Sequence, residues 1–397
     1  MSLKLAKTIL LAILLPAICT AGCSKPPKAP PIQAELKQPL PQAPQEPLLK
    51  EEQSRIFEKK VALLLPLSGN KELSDKVLKA AQLALFNTNN KNITLITKDT
   101  GTNATSAKMA LNQALHEGAE LVIGPIYSDT TLALKGTTEA RINIISISNN
   151  ASLAGNGVFI LGYSPEEQIR RIIDYATKQN IRDYYAILPA GAFGKKISET
   201  IQNIGNNDEI TIHKIEYYTP ENDVDLCAES IVNSIKTSNH EEPVAIVIPE
   251  GGKKLISIAS ELEKRGIDSN KIKLLGINQW EEEIVANLPI LNGAWLTGID
   301  PKMRTEFDRL ASDLYGHSLP ELAALAYDAV ALASSLAIEN DFSTTKLLDP
   351  SGFKGITGIF RFNNNNIAEH GLAILEVSEG TIKVIEDAPT FFTANAN

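Results

Sequence analysis

The side chains able to do chemistry are mostly hydroxyls, amides and scattered carboxylates. Ser68 and Gly69 end an apolar run, Ser128 follows a second, and Asn149 and Asn150 follow a third. Glu250 stands in the segment IPEGG, and Asn278 with Gln279 in GINQW. Such groups hold a ligand by hydrogen bonds, and none is a nucleophile with an adjacent base. The chain has no nucleophile elbow, no phosphate-binding P-loop, no HExxH helix and no paired CxxC motif. AGAFGKK (190–196) is too poor in glycine to cradle phosphate and reads as a strand–helix loop. GNGVFILG (155–162) breaks dinucleotide spacing. None of the five histidines (His116, His213, His240, His317, His370) has metal-motif spacing to another His or to a Cys. No catalytic residue, metal or cofactor is therefore assigned. Cys227 reads as a small core residue of a helix.

The elements that would carry these residues alternate. VALLLPLSG (61–69) is an apolar run of the kind buried on both faces in a parallel sheet. Leu73, Val77, Leu78, Ala81 and Leu85 then recur with helical period. Strand patterns at 93–96, 121–125 and 143–148 are separated by helical ones, including Ala104–His116. A second series opens at Ser164 with SPEE, a capping box with proline at the first helical position. Its strands fall at 185–188, 210–217, 244–248 and 272–275. GAWLTG (293–298), two helices and three strand-like stretches at 358–362, 372–377 and 381–385 complete the chain. The alternation predicts an α/β protein with open, mostly parallel sheets, whose strand-end loops form the functional face. Asn363–Asn366 is either a turn between the first two of the last strands or compositional drift. Ser128 and Asn149 can serve a cleft or bind nearby backbone in Asx-type turns. Trp280 can stack on a ligand or pack under a loop.

The N-terminus carries an export signature. Lys4 and Lys7 precede an apolar run from Ile9 to Leu15, then come Pro16, small residues and Cys23. This resembles the lipobox of bacterial lipoproteins, with Thr20 where the family usually has leucine. The resemblance implies cleavage after residue 22 and lipidation of Cys23. Ser24 after the cysteine implies the outer membrane, facing the periplasm. The net charge of −9 loses two lysines and no acid on cleavage, giving −11, which disfavours nucleic acid as a partner. Residues 24–50 hold eight prolines and no aromatic residue, the composition of an extended tether. At about 3.1 Å per residue, residues 24–59 reach on the order of 100 Å.

The ordered landmarks VALLLPLSG, LVIGPIYS (121–128), LAYDAVALA (325–333) and FKGITGIFRF (353–362) resemble the type I periplasmic-binding-protein fold, in its leucine-binding-like branch. Within that superfamily the chain is similar to lipoproteins known as penicillin-binding protein activators. Enteric members of that group carry an N-terminal helical repeat domain, whose place the Pro-rich tether takes here. The resemblance implies two doubly wound parallel-sheet lobes joined by three crossovers. Residues 1–22 are then the signal peptide, 23–58 the lipidated tether and 387–397 a disordered tail. Lobe one comprises 59–162 plus 293–348, and lobe two 163–292 plus 349–386. Ser68, Gly69, Ser128, Asn149, Asn150, Glu250, Asn278 and Gln279 become the candidate cleft. Amino-acid-binding relatives hold the ligand ammonium with a carboxylate about where Asn278 and Gln279 stand, and an amide does not neutralise that charge. The implied role is regulation of a peptidoglycan synthase, a penicillin-binding protein, by direct contact, without catalysis. The alternative is the substrate-binding lipoprotein of an ABC importer for amino acids or related small polar molecules.

Overall fold

A computed structural model of the chain describes residues 58–137, 142–207, 210–219, 224–238, 240, 243–269, 271–281 and 283–392. The expected signal peptide, Cys23 and the Pro-rich tether up to residue 57 lie outside the described residues, as do residues 393–397 of the expected tail; residues 387–392 are described, with Phe392 under the Arg361 guanidinium.

The first series runs β1 (Lys59–Leu65), α1 (Lys71–Thr88), β2 (Ile93–Asp99), α2 (Ala104–His116), β3 (Leu121–Ile123), α3 (Ser128–Leu134), β4 (Asn143–Ser146) and β5 (Val158–Ile160). Its strands make a five-stranded parallel sheet in the order β2-β1-β3-β4-β5. Val61 to Leu65 are wholly buried because helices cover both faces of the sheet. Helix starts follow local chemistry. The Asn70 side chain accepts the Leu73 N–H and that of Asn103 the Ser106 N–H, meeting donors that the helix itself leaves open.

The second series runs α4 (Pro165–Lys178), β6 (Asp183–Pro189), α5 (Ala192–Asn207), β7 (Thr211–Tyr218), α6 (Val224–Ser238), β8 (Val244–Val247), α7 (Gly252–Lys264), β9 (Ile272–Gly276), α8 (Glu283–Ala286) and β10 (Trp295–Gly298). Then follow α9 (Pro301–Tyr315), α10 (Glu321–Ile338), α11 (Thr344–Leu347), β11 (Phe353–Lys354), β12 (Ile359–Phe362), β13 (Ala368–His370), β14 (Ala373–Ser378) and β15 (Thr381–Glu386). The second sheet has the order β15-β14-β10-β9-β8-β6-β7, and β14 runs antiparallel to both its neighbours.

Two expected boundaries are corrected by this pairing. Residues 295–298 were expected in lobe one, but β10 pairs with β9 and β14 in the second sheet. The return to lobe one therefore comes after Gly298, where Asp300 caps α9 by accepting the Lys302 N–H. Residues 353–370 were expected in lobe two. They form a separate three-stranded sheet whose Phe360, Phe362 and Ala368 join the lobe-one core with β1, β3, α1 and α10. Asn363–Asn366 does make a turn, with Asn366 left-handed at φ 62°, but it joins β12 to β13 rather than to the strand after it. Among the described residues the chain thus passes between the lobes three times: after β5, after β10 and after β13.

Helix α10 is long and apolar enough to cross a membrane, yet 72% of it is buried inside the protein, where it is the core helix of lobe one. The resemblance of LAYDAVALA and FKGITGIFRF to one family has a physical basis here. The buried Asp328 carboxylate of α10 accepts the Ile356 N–H, the Thr357 N–H at 3.1 Å and the Thr357 hydroxyl. Gly355 lets that loop approach, since a Cβ there would stand 2.4 Å from the Asp328 carboxylate.

Candidate functional site

A cleft of about 430 Å³ opens where the strand-end loops of both lobes meet. Lobe one supplies Tyr127 and Ser128 after β3, Ser148 and Asn149 after β4, and the first turn of α10. Lobe two supplies Gln168 of α4 and Ile277 to Gln279 after β9. Ser128, Asn149, Asn278 and Gln279 therefore line it, as their places at strand ends suggested.

The other candidates are placed elsewhere. Ser68 and Gly69 are exposed in a turn bound to a neighbouring loop, with the Ser68 N–H 3.2 Å from Asp99 Oδ1 and the Gly69 N–H on the Pro66 carbonyl. Asn150 borders an adjoining hollow, but its side-chain oxygen accepts the Ser152 N–H and hydroxyl at 3.2 and 2.7 Å. It is a local cap. Glu250 faces Tyr218 and Lys254 outside the cleft, and burial raises its carboxyl above the ordinary range. Its carbonyl accepts the Trp280 indole N–H at 2.7 Å, and Trp280 is fully buried, packed under the loop.

Three residues that sequence reasoning missed organise the cleft. Gln168, 1% exposed, accepts the Asn278 N–H at 2.8 Å and the Thr297 hydroxyl at 3.1 Å. The Asn278 amide in turn donates to Glu321 Oε1 at 2.9 Å. Because Glu321 opens α10 of lobe one, this bond crosses between the lobes. A carboxylate does reach the cleft, but from a helix start rather than from the loop after β9. Burial raises the Glu321 carboxyl, against the pull of Asn278 and Arg304. Glu281 is exposed as a residue, yet its carboxylate turns in beside Gly298 and accepts the Ile299 N–H. Burial, with the Glu321 charge second, raises its carboxyl to about 8. No periodicity marks Gln168 or Glu321, since both fall inside ordinary helix beginnings.

The crossovers are tied below the cleft. The expected capping box at Ser164 is corrected: Pro165 is at the first helical position, but the Ser164 hydroxyl binds the Glu166 carboxylate at 2.7 Å. Glu167 instead accepts the His370 N–H of the third crossover. The His370 ring donates from Nε2 to the Leu161 carbonyl of the first crossover at 2.8 Å. Burial lowers that imidazole to about 4 and raises the Glu167 carboxyl well above its usual range.

The profile of the periplasmic binding protein family matches residues 58–381, from just before β1 to the start of β15. The chain belongs to that family. Among solved structures, a putative branched-chain amino acid ABC transporter protein of Rhodospirillum rubrum superposes with a TM-score of 0.72 at 18% identity, covering 83% of this chain and all of that one. A substrate-binding protein of Desulfitobacterium hafniense in complex with Leu gives 0.63 at 16% identity, with the same coverage. Such identities establish the fold alone. In sequence, an uncharacterised protein of Rickettsia prowazekii is 27% identical over 70% of this chain and 74% of its own length. The penicillin-binding protein activator LpoA of Haemophilus ducreyi is 24% identical over 44% of this chain, and the match spans 30% of that protein. The activator of Glaesserella parasuis is 26% identical over 35% of this chain and 24% of its own length.

Proposed function

We propose that this periplasmic binding protein is a non-catalytic envelope lipoprotein, tethered to the outer membrane through Cys23, that regulates a peptidoglycan synthase by direct contact. The observation that carries the reading is the Gln168–Asn278–Glu321 chain. It joins the lobes across the cleft through the protein's own side chains, which supports a body that offers a standing surface to a partner. The same amide takes Oε1 of the carboxylate that an incoming ammonium would need. Part-length similarity to two penicillin-binding protein activators and the lipobox-and-tether pattern support the reading. The test is capture from envelope extracts with the full-length tagged protein, after reversible crosslinking. Recovery of a penicillin-binding protein is expected, and its absence from every eluate counts against the proposal.

A second reading is favoured by the opposite wall. The Ser128 and Ser148 hydroxyls stand 3.2 Å apart beside the exposed Asn149, and the volume is that of a small-molecule site. This wall suits the carboxylate of an amino acid or related solute carried to an importer. On that reading a metabolite at 100 times its Kd stabilises the protein by about 2.7 kcal/mol. A melting temperature unmoved by amino acids, small peptides and muropeptides removes it.

A further inference from the structure

The end of the seven-stranded sheet opposite the cleft carries a cluster that neither reading uses. Asp183 opens β6, His213 lies on the edge strand β7, and His240 stands ahead of β8. Strand β6 pairs with β7 on one side and β8 on the other, all parallel, so the three residues meet at one sheet end. Sequence spacing keeps these histidines apart, and the sheet register brings them together.

One ligand atom from each residue lies within 4.8 Å of the others. His213 Nε2 is 2.5 Å from Asp183 Oδ1, and His240 Nδ1 is 3.8 Å from Asp183 Oδ2. Tyr185, fully buried, positions both rings. Its hydroxyl is 2.8 Å from His240 Nε2, and its own ring stacks on His213 at 5.3 Å and 14°. An Nε2–H donated to the Tyr185 oxygen leaves the His240 Nδ1 lone pair facing Asp183, the arrangement by which outer groups fix the tautomer of metal-binding histidines.

We propose that Asp183, His213 and His240 form a surface site for a borderline divalent transition-metal ion such as zinc(II). Two imidazole nitrogens and one carboxylate oxygen suit that class, whereas calcium and magnesium require oxygen ligands. The side chains are 24%, 25% and 10% exposed, which leaves a fourth, solvent-facing position for water. Bonds of 2.0–2.1 Å place tetrahedral ligand atoms on the order of 3.3 Å apart, so the His240–Asp183 pair closes slightly and the His213–Asp183 pair opens as the ion enters. The metal displaces the proton that otherwise bridges His213 and Asp183. The site does not depend on the function proposed above.

The test uses the full-length protein in detergent, with zinc(II) competed against a chromophoric chelator and cobalt(II) followed by visible absorption. The native chain is expected to take one more equivalent of zinc than His213→Ala or His240→Ala, and to give a four-coordinate cobalt spectrum that both variants lose. Tyr185→Phe is expected to weaken zinc binding by about 10- to 100-fold. A His116→Ala/His317→Ala double variant keeps the site. Zinc also raises the Tm of the native chain, a readout that requires no variant to fold. Equal zinc uptake by the native chain and both single variants, or no zinc-dependent rise in Tm, overturns the proposal.

Discussion

Glu321, which lines the cleft, and Glu281 nearby make this region sensitive to pH. Both carboxyls are raised in the folded state, chiefly by burial. The sign follows from linkage: a raised carboxyl stabilises the fold fully below its unfolded value near 4.5, and that stability is lost as pH climbs through the folded value, about 8 for Glu281. A Glu281→Gln/Glu321→Gln double variant is expected to lose less Tm between pH 5 and pH 8 than the native chain, as thermal melts in matched buffers would show. His370 works in the other direction. Its imidazole, lowered to about 4 against 6.5 unfolded, contributes stability above pH 6.5 that is lost as pH falls toward 4. The His370 ring protons are therefore expected to show no NMR titration between pH 7 and 5, and a midpoint near 6.5 contradicts its burial as the neutral ring. At this scale the sequence was only partly legible. Ser128 and Asn149, singled out at strand ends, and Asn278 and Gln279, singled out through the family resemblance, all line the cleft. Ser68 and Asn150 also follow strands, but the Ser68 N–H is taken by Asp99 at the end of β2 and the Asn150 side-chain oxygen by its own turn. Glu321 escaped notice because an acid in a first helical turn is ordinary.

At the scale of elements, the Asp328 clasp fixes where the third sheet sits. Asp328→Ala leaves buried donors of Ile356 and Thr357 without their acceptor and is expected to cost about 3 kcal/mol, measured by denaturant unfolding. Gly355→Ala, which sets a methyl against the same carboxylate, is expected to cost about 1–3 kcal/mol. If either variant unfolds at the native midpoint, the clasp contributes nothing. The β-α alternation was readable because buried parallel strands and amphipathic helices have different periods. The lobe of a short strand was not. Trp295–Gly298 is four residues long and fits either sheet by composition, and only its pairing with β9 and β14 decides. The expected placement of 353–370 failed for the same reason, since Phe360 and Phe362 are apolar enough for either core.

For the whole molecule, the bond from Asn278 to Glu321 ties one lobe to the other across the cleft. Asn278→Ala removes it without adding bulk, and is expected to raise the radius of gyration measured by small-angle scattering. An unchanged scattering curve shows that the crossovers alone hold the lobes. The α/β class with mostly parallel sheets followed from alternation along the chain, whereas the two lobes and three passages were what the family resemblance implied. The partner does not follow from the fold, because the periplasmic binding architecture serves many functions. The decisive measurement is glycan polymerisation by a purified bifunctional penicillin-binding protein, with and without an equimolar amount of the full-length protein. A faster rate that tracks formation of a complex between the two is expected. An unchanged rate together with no complex contradicts the proposed regulation.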